Sequence, residues 1–228
     1  MTKRPAEALA VGVVGGSLAG LVGWPLGIGI LAAAVGVANG LVSGWLGVYR
    51  LRYTRGWVAL VLDSTWGLVG TAFGLVLHVI NLVLPGAQYE EDLSSRRDRH
   101  VYSKGVTIRP GFTLAMGNVV SNAGGRVGLH GVSSAVARRR HFVTAHEELH
   151  VWQNRWFGPV FQIVYVTWLI GGAIVGTLAW PIVRGSWLNA VETIAYYNNP
   201  FEYWAYSNDK YWPPRGVHPR LAWRRRVI

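Results

Sequence analysis

The chain has 228 residues, of which 51% are hydrophobic and only 14% charged, whereas about a quarter of a soluble domain is charged. That balance excludes an ordinary water-soluble protein, and the absence of cysteine excludes disulfides, thiolate metal sites and cysteine nucleophiles. A net charge of +11 would suit nucleic acid, but in so apolar a chain basic residues flank membrane spans and meet anionic headgroups. Membrane lipid is therefore the expected partner and nucleic acid is not.

Residues 8–48 contain no acid and no base. As one helix, at about 1.5 Å per residue, they would extend roughly 60 Å, twice the about 30 Å of a bilayer core, so they must fold back. Lys3 and Arg4 ahead of this run look like the start of a signal peptide. The run outlasts the about 7 to 15 apolar residues of a cleaved signal, which makes it a retained anchor. Gly12, Gly16 and Gly20 recur as Gly36, Gly40 and Gly44, an internal repeat. Glycines four apart leave a flat helix face for a close neighbour, so a glycine-zipper hairpin turning at Trp24-Pro25 is predicted. The same faces offer a route to homo-oligomers. Residues 57–84 read as a third span, with Asp63 near one end and His78 and Asn81 near the other, at headgroup depth. The predicted division is a glycine-rich transmembrane region over 1–84 and a metal-site domain over 85–228.

Residues 85–158 have the composition of an aqueous domain. β-branched residues and turn formers over 105–122 predict a short hairpin or edge strand. A helix is expected over 134–157, with Arg138, Arg139 and Arg140 near its start and Gly158-Pro159 as its stop. Residues 159–183 are again uncharged and have Gly171-Gly172 at their middle. The tail that follows is aromatic and basic, like an interfacial belt.

His146-Glu147-Glu148-Leu149-His150 matches H-E-x-x-H. On a helix, positions i and i+4 share a face, so both imidazoles can bind one Zn²⁺, while the intervening glutamate can take a proton from the water that the metal activates. Gln153 falls on the same face and can orient a ligand or the substrate. A catalytic zinc takes a third protein ligand, and the downstream acids are Glu192, Glu202 and Asp209. Glu192 and Glu202 each open an E-x-x-A-Y pattern, and each also fits a helix cap, so the residues alone leave both open.

The chain resembles the gluzincin zinc metallopeptidases, in which H-E-x-x-H is completed by a glutamate on a later helix. More closely, His146-Glu-Glu-Leu-His150-Val-Trp-Gln153, Phe157-Gly-Pro159 and Asn199-Pro-Phe-Glu202-Tyr-Trp-Ala205-Tyr206 resemble small bacterial minigluzincin-like integral membrane proteins. The stretch Phe112-Thr-Leu-Ala-Met-Gly-Asn118-Val-Val is similar to their strand before the metal helix, which implies a substrate-lining edge that includes Asn118. The likeness covers residues 111–208. It implies Glu202 as the third ligand, Glu147 as general base and a peptide substrate. It departs at Tyr206, which stands where many gluzincins have an aspartate holding a histidine; Asp209 could substitute. Candidates to stabilise the oxyanion are His130, His141, Tyr196, Tyr203 and Tyr206.

The expected fold is mainly α: an integral membrane helical protein with a zipper hairpin, a third span, a zincin-like helix beside a short edge β-hairpin, and a re-entrant apolar hairpin. The last follows from topology, because a single crossing by 159–183 would separate His146 from Glu202. Two arms meeting near Gly171-Gly172, each of about 12 residues or roughly 18 Å, would be too short to span. The setting implied is a bacterial plasma membrane. Lys3, Arg4 and the arginines over 50–55 pull the metal domain outward, but most basic residues follow Leu84, which leans it to the cytoplasmic face. The expected activity is zinc-dependent peptide hydrolysis at the membrane surface. Alternatives are a metal-dependent lipid or amide hydrolase and a non-catalytic glycine-zipper scaffold or pore.

Overall fold

A computed structural model of the protein describes residues 4–124, 134–183 and 185–224. It is mainly helical, with one small sheet. Helix α1 (Pro5–Gly23) starts with proline at its first turn and packs antiparallel on α2 (Gly29–Trp45), through a short 3₁₀ turn over Trp24–Leu26. Gly27 ends that turn at φ +72°, a conformation glycine adopts without steric cost. The two glycine faces meet within the chain. A Cβ on Gly40 would lie 2.5 Å from the Val11 carbonyl, and one on Gly44 would lie 2.6 Å from the Ala8 Cα.

The predicted third span is broken. Helices α3 (Thr54–Ser64) and α4 (Leu68–Val83) meet at 90°. The cause is next to the break: Asp63, fully buried, accepts two bonds from Arg155, at 2.8 and 2.7 Å, and a third from the Tyr49 hydroxyl at 2.8 Å. A buried carboxylate needs such partners, and turning the chain at Asp63 lets it meet them. His78 and Asn81 are also buried within the protein. His78 pairs with the Tyr102 hydroxyl at 3.0 Å, and Asn81 bonds Ser121 and the Val106 amide.

Strands β1 (Gln88–Tyr89), β2 (His100–Lys104), β3 (Leu114–Met116) and β4 (Val119–Ser121) form a sheet in the order β1-β2-β4-β3, with a single-turn helix α5 (Glu91–Ser94) between the first two. β2 and β4 are parallel; β3 and β4 form the predicted hairpin, with β3 at the edge. The hairpin turn, with Gly117 at φ +54°, rests against the Gly70 carbonyl of α4. Leu93, Val101, Val120, Val143 and Val151 make the core between the sheet and the helix that carries His146 and His150.

The helix predicted over 134–157 consists of α6 (Ser134–Phe142), a π-helical turn over Val143–Glu147, and α7 (Glu148–Phe157). Gly158 turns the chain at φ +52° into α8 (Pro159–Val183). Here the expectation of a re-entrant hairpin is corrected: α8 is one continuous helix of 25 residues, with Gly171 and Gly172 inside it. Helix α9 (Trp187–Glu192), a second π-helical turn over Thr193–Tyr197 and α10 (Pro200–Asn208) then run back antiparallel along α8. A Cβ on Gly176 would meet the Val191 Cα at 2.7 Å, one on Gly172 would meet the Ala195 Cα at 2.6 Å, and Tyr165 reaches Glu202. Equal steps along both segments keep this register, so the chain after α8 returns to where α8 began.

Among the described residues, two helices, Pro5–Leu26 and Pro159–Val183, are long and apolar enough to cross a membrane; the bent pair α3–α4 makes a third if counted as one span.

Candidate metal centre

His146 lies in the first π-helical turn and His150 follows one turn later on α7, with ring centroids 4.9 Å apart. Asn199 caps α10 by accepting from the Phe201 amide, and Pro200 occupies its first turn. That start aims Glu202 across at the two imidazoles. His146, His150 and Glu202 are all buried and are the only three His, Cys, Asp or Glu residues among the described ones whose ligand atoms could hold one metal ion. Of the two candidates for third ligand, the structure thus brings Glu202 to the pair. Glu192 is turned away and ion-paired with Arg109.

Hydrogen bonds fix how the rings face. His146 Nδ1 lies 2.9 Å from Asp209 Oδ2, a group that only accepts when ionised, so Nδ1–H donates. His150 Nδ1 lies 2.8 Å from Gln153 Oε1, and the Gln153 amide is oriented by its own donation to the Phe201 carbonyl at 3.1 Å. In the neutral rings, both Nε2 atoms therefore present lone pairs. They are 3.2 Å apart, and the Glu202 oxygens lie 3.5 Å from His146 Nε2 and 3.4 Å from His150 Nε2. The 3.5 Å contact is from Oε2 and the 3.4 Å contact from Oε1, so each imidazole faces a different carboxylate oxygen; with one ligand atom taken from each residue, all three lie within 4.8 Å of one another, close enough to hold one ion. Glu202 Oε2 is buried without a hydrogen-bond partner, while Oε1 accepts from the Tyr165 hydroxyl at 2.6 Å. Three converging acceptors with an orphaned carboxylate oxygen require a cation or added protons, and this donor set suits a divalent metal.

Without metal, protons take that role. Burial disfavours charge on His146, but Asp209, with the Glu202 and Glu147 charges, outweighs it and raises its pKa to about 10. Burial likewise opposes charge on His150, and the Glu202 carboxylate reverses the sign, raising it. Burial would raise Glu202, but His150 and His146 hold it well below the usual carboxylate range. Glu147 is buried, and its pKa is raised by that burial against the opposing charges of His146 and His150.

The remaining predicted residues divide. Gln153 is fully buried and positions His150. The Tyr206 ring packs edge-on against His146 at 4.3 Å between centroids, and Phe142 stacks on the same imidazole at 4.5 Å. Tyr196 is next to Tyr206, with its pKa pushed up by burial and then by the Glu202 charge. Tyr203 donates to the Arg224 carbonyl instead, and His141 is exposed. Asn118 is not brought to the centre; its amide donates to Asn39 at 2.9 Å, on the α2 side of the sheet. His130 lies outside the described residues. Sequence reasoning missed Tyr165, which is hidden in an apolar block. The available signal was its spacing from Gln162, which puts two polar side chains on one face of α8; Gln162 donates to Asn154 at 2.5 Å.

No protein-family model matches the chain, and no curated protein or solved structure matches it either.

Proposed function

We propose that the protein is a membrane-embedded, zinc-dependent metallopeptidase of gluzincin type that hydrolyses peptide bonds near the membrane surface. The observation that carries this reading is the convergence of two Nε2 lone pairs and the Glu202 carboxylate at 3.2 to 3.5 Å, with both Nδ1 atoms already engaged. Zinc bound by His146, His150 and Glu202 would supply Lewis acidity and lower the pKa of water. The chain's own residues do the rest. Glu147, whose burial raises its proton affinity, accepts the proton of the attacking water and delivers it to the leaving amide nitrogen. Asp209 and Gln153 hold the imidazoles in the ligating tautomer, Tyr165 fixes one Glu202 oxygen, and Phe142 and Tyr206 wall His146 against water. The glycine faces of α1 and α2 serve as a zipper that anchors the molecule among lipids in the plasma membrane, with the centre on its cytoplasmic side.

One observation favours a second substrate class. Tyr165, which touches Glu202, lies about 9 Å along the candidate spanning helix α8 from its start. A lipid amide could therefore reach the centre.

The test compares wild type with Glu147→Gln and His150→Ala in zinc content and peptide cleavage. Near-stoichiometric zinc is expected in wild type and Glu147→Gln and a loss of most of it in His150→Ala, with cleavage in wild type alone. Equal, negligible zinc in all three would sink the metal reading and leave the scaffold. Zinc with no peptide bond cut would turn the reading to a lipid or other amide.

A further inference from the structure

Beside the centre is a cleft of about 590 Å³ whose walls include Arg138, Arg139, Phe142, Tyr206, Tyr211 and Arg215. That volume lies within the range of ligand sites. Its inner wall is shared with the metal centre, because Phe142 and Tyr206 are the two rings that pack against His146. Its charge is one-sided: three arginines line it, and no carboxylate is among its described lining residues. Arg139 is tied down, donating to the Thr113 hydroxyl at 2.7 Å and to the Ala123 carbonyl. Arg138 and Arg215 are exposed and make no ion pair or hydrogen bond among the described residues. Arg138 and Arg215, from separate segments, thus give one concavity two guanidinium-bearing side chains with no carboxylate partner among its described lining residues, and the planar guanidinium matches a carboxylate in bidentate fashion.

We propose that Arg138 and Arg215 form a carboxylate-binding subsite of the peptidase, one side chain removed from the metal centre, so that it selects peptides carrying an acidic residue close to the bond cleaved. The inference rests on the peptidase reading for its substrate. A peptide is favoured over an anionic lipid because no residue lining the cleft belongs to the candidate membrane spans. Phe142, Tyr206 and Tyr211 would flank the acidic side chain and limit water around it, which strengthens the ion pair. The two arginines are specificity-determining and leave the proton transfer to Glu147.

The test uses the full-length, zinc-loaded protein in zwitterionic detergent with a Glu147→Gln background, so that peptide is bound and left uncut. Fluorescence anisotropy measures the affinity for a labelled peptide containing glutamate and for its glutamine twin. A preference of at least tenfold for glutamate is expected. It should fall below threefold in Arg138→Gln/Arg215→Gln and be largely kept in Arg138→Lys/Arg215→Lys, with zinc content unchanged in both. Equal binding of the two peptides by the parent, or a preference undiminished in the glutamine double variant, would overturn the subsite. So would phosphatidylglycerol vesicles that distinguish parent from double variant where peptides do not, since the arginines would then serve lipid. If the charge preference holds but the protein with Glu147 intact leaves the acidic peptide whole, the subsite stands and the peptidase reading fails.

Discussion

Each imidazole in the centre commits one nitrogen to a protein acceptor and leaves the other for a cation, so the acceptors are as much part of the site as the rings. Replacing Asp209 by asparagine keeps the shape but allows the opposite His146 tautomer. Outer-shell changes of this kind lower metal affinity by about 10–100-fold, and chelator competition should find Asp209→Asn within that range. The metal-free protein also has a defined pH response. His146 has its pKa raised from 6.5 to about 10, so its proton stabilises the empty fold fully below about 6.5, and that contribution is lost as pH rises through about 10. Metal must displace this proton. Apparent affinity should therefore climb at least about tenfold per pH unit between about 7 and 10 as the His146 proton is released, and more steeply where His150, also raised, still holds its own; titrations at several pH values would show a flat profile if both imidazoles were already neutral.

Helices α3, α7 and α8 owe their positions to groups that a hydropathy scan treats as exceptions. Asp63→Asn leaves Arg155 buried without its countercharge, and breaking a buried pair from one side costs about 3–5 kcal/mol; thermal unfolding in detergent should register that loss. Gly40→Leu should cost about 1–3 kcal/mol by overpacking, since even a Cβ there would meet the Val11 carbonyl at 2.5 Å. The same elements mark what was legible beforehand. The pairing of His146 with His150 was readable because helix periodicity alone puts i and i+4 on one face. The hairpin over 114–121 was readable from β-branched residues around Gly117-Asn118. The break after Asp63 was not, because its cause, Arg155, is remote in sequence. Gly171-Gly172 misled for the opposite reason. Glycine lowers helix propensity in isolation, yet Gly172 packs its bare backbone on Ala195 and the helix runs through.

At the scale of the molecule, sequence reasoning found that His146 and Glu202 must share a side, but the solution lies in the segment after α8 rather than within it. That segment, aromatic and basic, offered no periodicity that would reveal a return along α8. The topology is open to test because the chain has no cysteine. Single cysteines replacing Lys210, at the centre's end, and Ser186, beyond the far end of α8, should be labelled from opposite faces of the membrane by an impermeant maleimide, whereas labelling from one face would reject α8 as a crossing. The antiparallel return also has a consequence for biogenesis. Glu202 is translated after the whole of α8, so a nascent chain still emerging from the ribosome holds two histidines and no completing carboxylate. The full ligand set would then be assembled only after the helical hairpin has closed, so an ion held by all three side chains would enter late in synthesis.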